Sequence, residues 1–497
     1  MLFVTEQFLI FFLAVYLLFW AIPVSFRMTF LMFASLFFYA SWSPLFALHF
    51  LLMILVNYFV MEIWRKRRWN WLFFILQAVN ILNISFFKYF YFFADVVGAL
   101  LGSEYLRYPN LLQSHRISGH EIFLPLAISF YTFQIMAYGI DIFRGSYNRS
   151  HSLRDVILFK SFFPQLIAGP IMRSNELLPQ ISDYGKTGAE LPNHNTMKKG
   201  LWYVLIGAVK KLFIADQLVG VIMPLFSSPV SEIGNYSPLS LWLIMFCSFT
   251  FLYADFSAYS DLARGFGYLL GFEIPINFRA PLFSHSISEF WRRWHLTFSL
   301  WIRDYIFIPL GGSRVSEWKI YANLTFTFFL GGLWHGASYA FVIWGALTGV
   351  ALSLESFMIR RGVAEWPSSW PARIARIGFS WMIMLVGAAF FFCPTAETLG
   401  TTDSFDTVRW SATVISRMFY IPDYFLADPF RMLLDKSEII LSSLIGLILF
   451  SSVEQWPHYF SRLRRYENWL LPVIGLVVIL AAVEFAGGQK DFFYFQF

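Results

Sequence analysis

The sequence predicts an all-α polytopic membrane protein, and three observations lead to that class. The 497 residues are 58% hydrophobic and only 14% charged, with a mean hydropathy of +0.58, whereas soluble domains carry about 25% charged residues. Apolar runs recur from one end to the other, with no polar block of soluble-domain size between them. Basic residues cluster in the short connections between those runs. We predict a single membrane domain over residues 1–497 with roughly 10 to 12 membrane segments, some too short to span the bilayer.

The basic clusters also predict the orientation of the chain. Because Lys and Arg favour the cytosolic side of a membrane, residues 65–68, 173–199 and 462–465 are expected in the cytosol. The N-terminus, residues 400–430 and the C-terminus are then expected on the outer side of the membrane. The first apolar run, at about residues 8–24, lacks the features of a signal peptide and is taken as a membrane helix. The net charge of +6 is distributed in this topogenic pattern, so we expect no nucleic-acid partner.

Two apolar segments are irregular. Residues 162–171 contain two prolines and a glycine, which fits either a kinked helix or a re-entrant segment, and non-helical backbone at membrane depth needs protein or a wet cavity around it. The second segment, residues 253–261, carries Asp255, Ser257 and Asp261 beside an apolar run. These polar side chains would either cap an interfacial helix or form a polar wall that orients a histidine or a substrate.

Two histidines follow tryptophans within apolar surroundings. His295 ends the stretch Ser-Glu-Phe-Trp-Arg-Arg-Trp-His at 288–295, and His335 follows Trp334 in Gly-Gly-Leu-Trp-His-Gly at 331–336. Ionisable groups inside a membrane are costly and usually mark a pathway or a reaction site. Imidazole also exchanges a proton near neutral pH. The two motifs therefore indicate chemistry within the membrane, although either histidine could instead be a structural side chain, bonded to a neighbouring carbonyl or placed near an interface.

The familiar catalytic signatures for nucleophiles, phosphate loops and metalloproteases do not occur in the sequence. Cys247 and Cys393 both lie in apolar runs and have no metal-ligand spacing, so we predict inert thiols and no metal site. The simplest remaining chemistry is direct group transfer with a general base, to which a positioned histidine contributes about 10²–10⁴-fold.

Several long blocks resemble the membrane-bound O-acyltransferases, and most closely the bacterial branch that O-acetylates secreted polysaccharides. The resemblance covers nearly the whole chain and runs in the same order along it. The blocks are residues 124–133, 163–170, 253–261, 289–295, 301–305, 310–312, 331–336 and 493–497.

This resemblance implies a helical fold with re-entrant segments and a central tunnel reached by the acyl donor from the cytosol. It implies that His335 is the catalytic histidine and His295 the second motif histidine, with Trp334 beside them. Asp304 would either orient an imidazole or pair with Arg303.

The resemblance also implies a donor and partners. Acetyl-CoA would be the donor, with no permanently bound cofactor. Because a CoA thioester carries several negative charges, we further predict from charge that its head lies near Arg292 and Arg293, with Arg173 and Lys210 close by. The acetyl group would pass to an exported polysaccharide such as alginate, through a separate periplasmic esterase-like partner.

Two other functions remain open from the sequence. The first is the related D-alanyl transfer to teichoic acid, which takes its acyl group from a carrier-protein thioester. The second is transport of a lipid-linked glycan, with the histidines acting as a proton relay. Against transport, the sequence has no inverted repeat with paired broken helices.

Overall fold

The computed structural model describes residues 3, 5–103, 124–184, 193–362, 369–396, 398–399, 403–423, 434–455, 470 and 472–478. Within these residues the regular structure is helical, as the sequence predicts. The basic cluster at 462–465, residues 424–433 and residues 479–497, which carry part of the predicted orientation, lie outside the described residues.

The helices follow one another in the order of the chain. The first nine are α1 (Glu6–Ala21), α2 (Val24–Ala40), α3 (Pro44–Arg67), α4 (Asn70–Ile84), α5 (Phe90–Leu101), α6 (Ile128–Phe143), α7 (Leu153–Ser161), α8 (Ser174–Ser182) and α9 (His194–Val209). The second nine are α10 (Asp216–Phe226), α11 (Pro238–Leu269), α12 (Ile287–Trp291), α13 (Leu296–Ile302), α14 (Glu317–His335), α15 (Tyr339–Arg360), α16 (Trp370–Phe391), α17 (Asp406–Met418) and α18 (Ser437–Gln455). Among the described residues, π-helical turns lie at Ser85–Tyr89, Lys210–Ala215 and Arg303–Phe307, and 3₁₀ turns lie at Val230–Asn235, Pro281–Phe283 and Ile421–Asp423.

Six helical segments in the described part of the chain are long and apolar enough to cross a membrane. They are Pro44–Arg67, Asn70–Leu101, Pro238–Leu269, Tyr339–Arg360, Trp370–Phe391 and Ser437–Gln455, and the shorter α1 and α2 are also apolar. The chain is therefore a multi-pass membrane protein, which confirms the predicted class.

Helix α11 forms the centre of the fold. It begins at Ser237, whose side chain accepts a hydrogen bond from the backbone of Ser240, and Pro238 occupies its first turn. In its apolar window 78% of the residues are buried inside the protein, against 22–33% in the other five spans. A helix that is apolar on all sides belongs inside a structure, so α11 is surrounded by protein, and the other five spans expose much of their surface to lipid.

Residues 162–171 are not a kinked helix. They follow the end of α7 as turns and extended backbone, and every one of them is buried. The backbone N–H of Phe163 donates to Ser35 Oγ at 3.3 Å, and that of Ile171 donates to Thr297 Oγ1 at 2.9 Å. Side chains of neighbouring segments thus satisfy backbone groups that a helix would have satisfied. This is the environment expected of the predicted re-entrant segment.

Helices α14 and α15 make the most extensive helix contact in the described residues. Gly332 on α14 faces Gly345 on α15 so closely that a Cβ atom at Gly332 would lie 2.8 Å from the Gly345 Cα. At Gly349 a Cβ would lie 2.5 Å from the Cα of Thr325. Small residues at such positions let helix backbones approach closely within a membrane. Gly332 therefore holds α14 against α15 less than one helical turn before His335.

Candidate active site

His335 is the last residue of α14, and its side chain is 3% exposed. Aromatic rings surround the imidazole, with the rings of Phe391 and Trp344 at centroid distances of 5.1 and 5.2 Å, both edge-on. Phe298 lies 5.7 Å away. The imidazole therefore sits in an aromatic enclosure and not at a wet interface.

His295 has an unusual backbone conformation. Its φ of 43° places it in the left-handed region, which non-glycine residues rarely adopt and which occurs often at functional sites. Asn277 holds the two residues that follow His295. Its backbone carbonyl accepts from the N–H of Leu296 at 2.9 Å, and its Oδ1 accepts from Thr297 Oγ1 at 2.9 Å. Because Thr297 Oγ1 also accepts from Ile171, the His295 turn and the segment 162–171 support each other.

The fold brings the two histidines into one cluster. The Phe298 ring stacks on His295 at 5.1 Å and contacts His335 at 5.7 Å. Trp334 contacts His335 at 4.9 Å and His295 at 6.0 Å. The histidine motifs, forty residues apart in sequence, thus meet across two shared rings.

A small cavity of about 30 Å³ adjoins His335. Its walls include Trp294, Trp344, Met384 and Phe391, and most of the lining is aromatic or aliphatic. A cavity needs roughly 10–15 Å³ on this measure to hold one water molecule. The space beside His335 is therefore larger than one water molecule needs, and its walls offer apolar contact to a small group.

Two residues that the sequence analysis missed bind the end of α14 beside His335. Lys88 Nζ donates to the carbonyl oxygens of Trp334 at 2.5 Å and His335 at 3.3 Å, and to Ser129 Oγ at 3.2 Å. The Tyr89 hydroxyl donates to the carbonyl of Leu333 at 2.8 Å. A lysine within the apolar run of residues 70–101 was the sequence signal that could have revealed this contact.

The carboxylates of the 253–261 segment pair with lysines. Asp255 Oδ1 lies 2.8 Å from Lys211 Nζ, and Asp261 Oδ2 lies 2.8 Å from Lys210 Nζ. Lys210 also pairs with Glu454 of α18 at 3.2 Å. These ion pairs join α11 to the π-helical turn at 210–215 and to α18. The segment is thus the interior of α11 and not the cap of an interfacial helix.

The same segment reaches the histidines through an aromatic side chain. Phe256, which follows Asp255, contacts His295 edge-on at 4.7 Å. The Ser257 hydroxyl donates at 3.4 Å to the carbonyl of Ala254 on its own helix. The orienting role predicted for Asp255, Ser257 and Asp261 stays a prediction.

Arg293 is held by protein side chains. Its guanidinium donates to Glu289 Oε1 and Gln455 Oε1, both at 2.5 Å. Burial alone would raise the pKa of Glu289, but a hydrogen bond from the His285 backbone and the charge of Arg293 lower that pKa overall. Arg292 is exposed and donates to the carbonyl of Ser288 at 3.2 Å. Donor binding by these arginines stays a prediction, and Arg293 also joins α12 to α18.

Asp304 belongs to a cluster of arginines. It pairs with Arg173 at 2.5 Å and with Arg303 at 2.6 Å, and the Arg144 guanidinium donates to its backbone carbonyl at 3.1 Å. Partial burial would raise the pKa of this carboxyl, but the hydrogen bonds and charges of Arg303 and Arg173 lower it overall. The pairing of Asp304 with Arg303 is thus observed, whereas its role in orienting an imidazole stays a prediction.

The arginine cluster connects to the histidine cluster through rings. The Tyr305 ring lies 5.5 Å from the Arg173 guanidinium and 5.0 Å from Trp301. Trp301 stacks on Phe133 at 3.7 Å, and Phe133 stacks on Trp334 at 5.5 Å. A column of aromatic side chains therefore runs from basic residues to the site. The continuous tunnel expected from the sequence stays a prediction.

The described residues contain no group of three or more His, Cys, Asp or Glu side chains that could hold a metal ion. They offer two imidazoles, an apolar cavity and surrounding aromatic rings, a combination suited to proton transfer in a site shielded from bulk water. Fold and site together define a multi-pass membrane protein with a buried histidine centre.

The chain belongs to the membrane-bound O-acyltransferase family, whose model matches residues 75–394. It is 33% identical over 463 residues to the probable alginate O-acetylase AlgI of Azotobacter vinelandii, which covers 90% of this chain and 83% of that protein. It is 36% identical over 367 residues to the protein of the same name from Pseudomonas aeruginosa, covering 71% of this chain and 66% of that protein.

The peptidoglycan O-acetyltransferase of Helicobacter pylori is 36% identical over 356 residues, covering 65% of this chain and 63% of that protein. These similarities confirm the resemblance found in the sequence. The chain is an O-acyltransferase related to enzymes that acetylate alginate and peptidoglycan.

Proposed function

We propose that this enzyme moves an acetyl group from cytosolic acetyl-CoA across the inner membrane for the O-acetylation of an exported polysaccharide. The observation that carries the proposal is the position of His335, which borders a small aromatic cavity and shares the rings of Phe298 and Trp334 with His295. His335 is the catalytic base, and His295 assists it from the other side of those rings.

The chemistry is the transfer of an acyl group from sulfur to oxygen. The acceptor hydroxyl attacks the thioester carbonyl while the imidazole of His335 takes its proton. The carbon–sulfur bond then breaks, the ester forms, and the proton passes to the departing thiolate. A positioned base contributes about 10²–10⁴-fold to such a step, and exclusion of water limits hydrolysis of the thioester.

The size of the cavity supports an acetyl group. The cavity beside His335 is small, and the rings of Trp344 and Phe391 line it, so these rings would contact the acyl chain of a bound donor. One methylene that does not fit an apolar pocket changes specificity by roughly 10–200-fold. The cavity therefore favours acetyl over longer acyl groups.

The donor head is expected to stay on the cytosolic side. CoA carries several phosphate charges, which do not enter the hydrocarbon core without a large penalty. The basic residues Arg173, Lys210, Arg292 and Arg293 are the proposed donor-binding residues, and the aromatic column from Arg173 towards Trp334 supports this direction of approach. Charge attraction at exposed arginines weakens with salt, because the Debye length falls from about 10 Å at 0.1 M to about 3 Å at 1 M.

The acceptor side is proposed from the relatives. Their names refer to alginate and to peptidoglycan, so an exported glycan is the acceptor class. The handover to the glycan would use a periplasmic esterase-like partner. The N-terminus and the C-terminus would then both lie outside, as the basic clusters predict.

Substitution of His335 tests the proposal. Purified protein in nanodiscs would be given acetyl-CoA, a soluble glycan acceptor and a periplasmic extract of the host that supplies the partner, and transfer of labelled acetyl would be measured for wild type, His335→Ala and His335→Gln. We expect both variants to fold and to lose transfer. Wild-type transfer by a folded His335→Ala protein would refute the assignment.

The same assay with an acyl carrier-protein thioester tests the donor. Turnover of acetyl-CoA that depends on His335 supports the proposal. A preparation that uses only the carrier-protein thioester would instead support the D-alanyl-type alternative.

A further inference from the structure

Helix α14 ends in the middle of the site, and its end has to be capped. The last four carbonyl groups of an α-helix have no partner within the helix, and in α14 they belong to residues 332–335. In roughly a third to a half of helices a left-handed residue, most often glycine, supplies this cap. Gly336, which follows His335, is instead extended, with a φ of −167°. Its N–H reaches only the carbonyl of Gly332, at 3.4 Å.

The other three carbonyls are capped from a different helix. Tyr89 binds the carbonyl of Leu333, while Lys88 binds those of Trp334 and His335. All four terminal carbonyls of α14 are then hydrogen-bonded. Two adjacent residues, more than 240 positions away in sequence, complete the end of the helix that carries the histidine.

Lys88 and Tyr89 lie where the backbone departs from α-helical geometry. Neighbouring residues of an α-helix point in different directions, but these two lie in the π-helical turn Ser85–Tyr89 between α4 and α5. Such turns are rare and frequent at functional sites. The turn interrupts a candidate membrane span of 32 residues at the level of the α14 terminus.

Placing the amine of a lysine at this helix end costs free energy, because the site lies within an apolar span. Lys88 lies within the apolar span Asn70–Leu101, where ionisable side chains are rare and usually functional. Its cost is offset by three oxygen acceptors and by the negative end of the α14 dipole. A lysine also reaches two consecutive carbonyls at once, so it fixes the backbone on both sides of the Trp334–His335 peptide bond.

We propose that Lys88, assisted by Tyr89, is a positioning residue that fixes the backbone of Trp334 and His335 and so aims the catalytic imidazole. This inference rests on the proposed role of His335 as the catalytic base. Lys88 touches no reacting atom. It acts by preventing the last turn of α14 from fraying, and a catalytic group displaced by about 1 Å can lose about 10²-fold in rate.

The experiment compares wild type with Lys88→Met, Lys88→Arg and Tyr89→Phe in nanodiscs, with Lys199→Met as a matched control at an exposed lysine. Two quantities are measured: acetyl-CoA turnover, as kcat and KM, and hydrogen exchange of a peptide that contains residues 332–336. Only monodisperse protein is used, so that yield does not enter the rates.

We expect Lys88→Met to lower kcat about 10²-fold with donor KM within about twofold, because the cap serves catalysis and not binding. Exchange in 332–336 should accelerate, Lys88→Arg should recover part of both, and Lys199→Met should match wild type. Wild-type kcat in Lys88→Met overturns the proposal. Lost activity with unchanged exchange at 332–336 also overturns it.

Two further variants keep the test decisive. If Lys88→Met does not accumulate, Tyr89→Phe removes a single hydroxyl group and should lower kcat several-fold with faster exchange; wild-type behaviour of that variant overturns the proposal. His335→Ala separates the two hypotheses. Full activity in His335→Ala contradicts the proposed catalytic base, whereas an inactive His335→Ala beside a fully active Lys88→Met contradicts only the positioning role.

Discussion

The contact between Gly332 and α15 makes a quantitative prediction for the substitution Gly332→Ala. A Cβ atom there would lie 2.8 Å from the Cα of Gly345 and would overlap the carbonyl oxygen of Phe341. Non-bonded carbon atoms rest at about 3.5–4.0 Å, so the two helices have to separate by about 1 Å. Overpacking of this kind costs about 1–3 kcal/mol of stability.

The same displacement reaches the active site, because His335 follows Gly332 by less than one helical turn. A shift of about 1 Å at a catalytic group lowers the rate about 10²-fold, which corresponds to about 2.7 kcal/mol in the activation barrier. We therefore expect Gly332→Ala to lose most of its turnover while it still folds and inserts.

The assay measures kcat for acetyl-CoA in nanodiscs together with the thermal unfolding midpoint. Gly331→Ala is the matched control within the same motif, since a Cβ there would meet only the Phe298 ring at an ordinary 3.5 Å. Gly378→Ala is a second control, on α16, where none of the described atoms lies within 4 Å of the added Cβ. Equal activities of Gly332→Ala and Gly331→Ala would refute the reasoning.

Three further predictions concern the cavity, the orientation and an ion pair. Phe391→Ala should reduce the preference for acetyl-CoA over butyryl-CoA, measured as the ratio of their kcat/KM values, by roughly tenfold or more. The control Phe86→Ala, at a ring that is 51% exposed, should leave that ratio unchanged. An unchanged ratio in Phe391→Ala would exclude the cavity as the acyl site. In intact spheroplasts an impermeant thiol reagent should label Ser404→Cys and not Asn70→Cys, and the reverse result would invert the proposed orientation. Because the pKa of Glu289 is lowered in the fold, Glu289→Gln should destabilise the protein at neutral pH, and the difference in unfolding midpoint should vanish as the pH falls from about 4.5 through that lowered pKa; a constant difference would contradict this.

The sequence predicted those features that depend on composition and local order. Hydropathy predicted a polytopic helical protein. The prolines of residues 162–171 left a kinked helix and a re-entrant segment as alternatives, and the structure has non-helical backbone there. Both histidines were found because an ionisable residue after a tryptophan in an apolar run is conspicuous. The structure adds that they share the rings of Phe298 and Trp334.

Partners across helices could not be predicted in the same way. For Asp255 and Asp261 the sequence left two alternatives, a helix cap and a polar wall beside a histidine or a substrate, and it did not indicate the contacts observed with Lys211 and Lys210. The pairing depends on how α11 is rotated about its axis where it packs against the π-helical turn at 210–215. The periodicity of the sequence does not predict that rotation. The contacts of Lys88 were missed because its partners are backbone carbonyls. Every residue has a carbonyl group, so the sequence does not indicate which ones a lysine will bind.

Different sets of contacts restrain the backbone at the two histidines, so substitutions in different parts of the chain should affect each of them. The backbone at His335 contacts Lys88 and lies beside the glycine contact between α14 and α15, whereas the backbone after His295 contacts Asn277 and the buried segment 162–171. Each set of contacts restrains the backbone, and the residues that make them do not need to touch the substrate. Loss of transfer should therefore follow from substitutions spread over several distant segments, while a change in the acyl group accepted should follow only from the walls of the cavity beside His335. That separation distinguishes residues that aim the imidazoles from residues that select the donor.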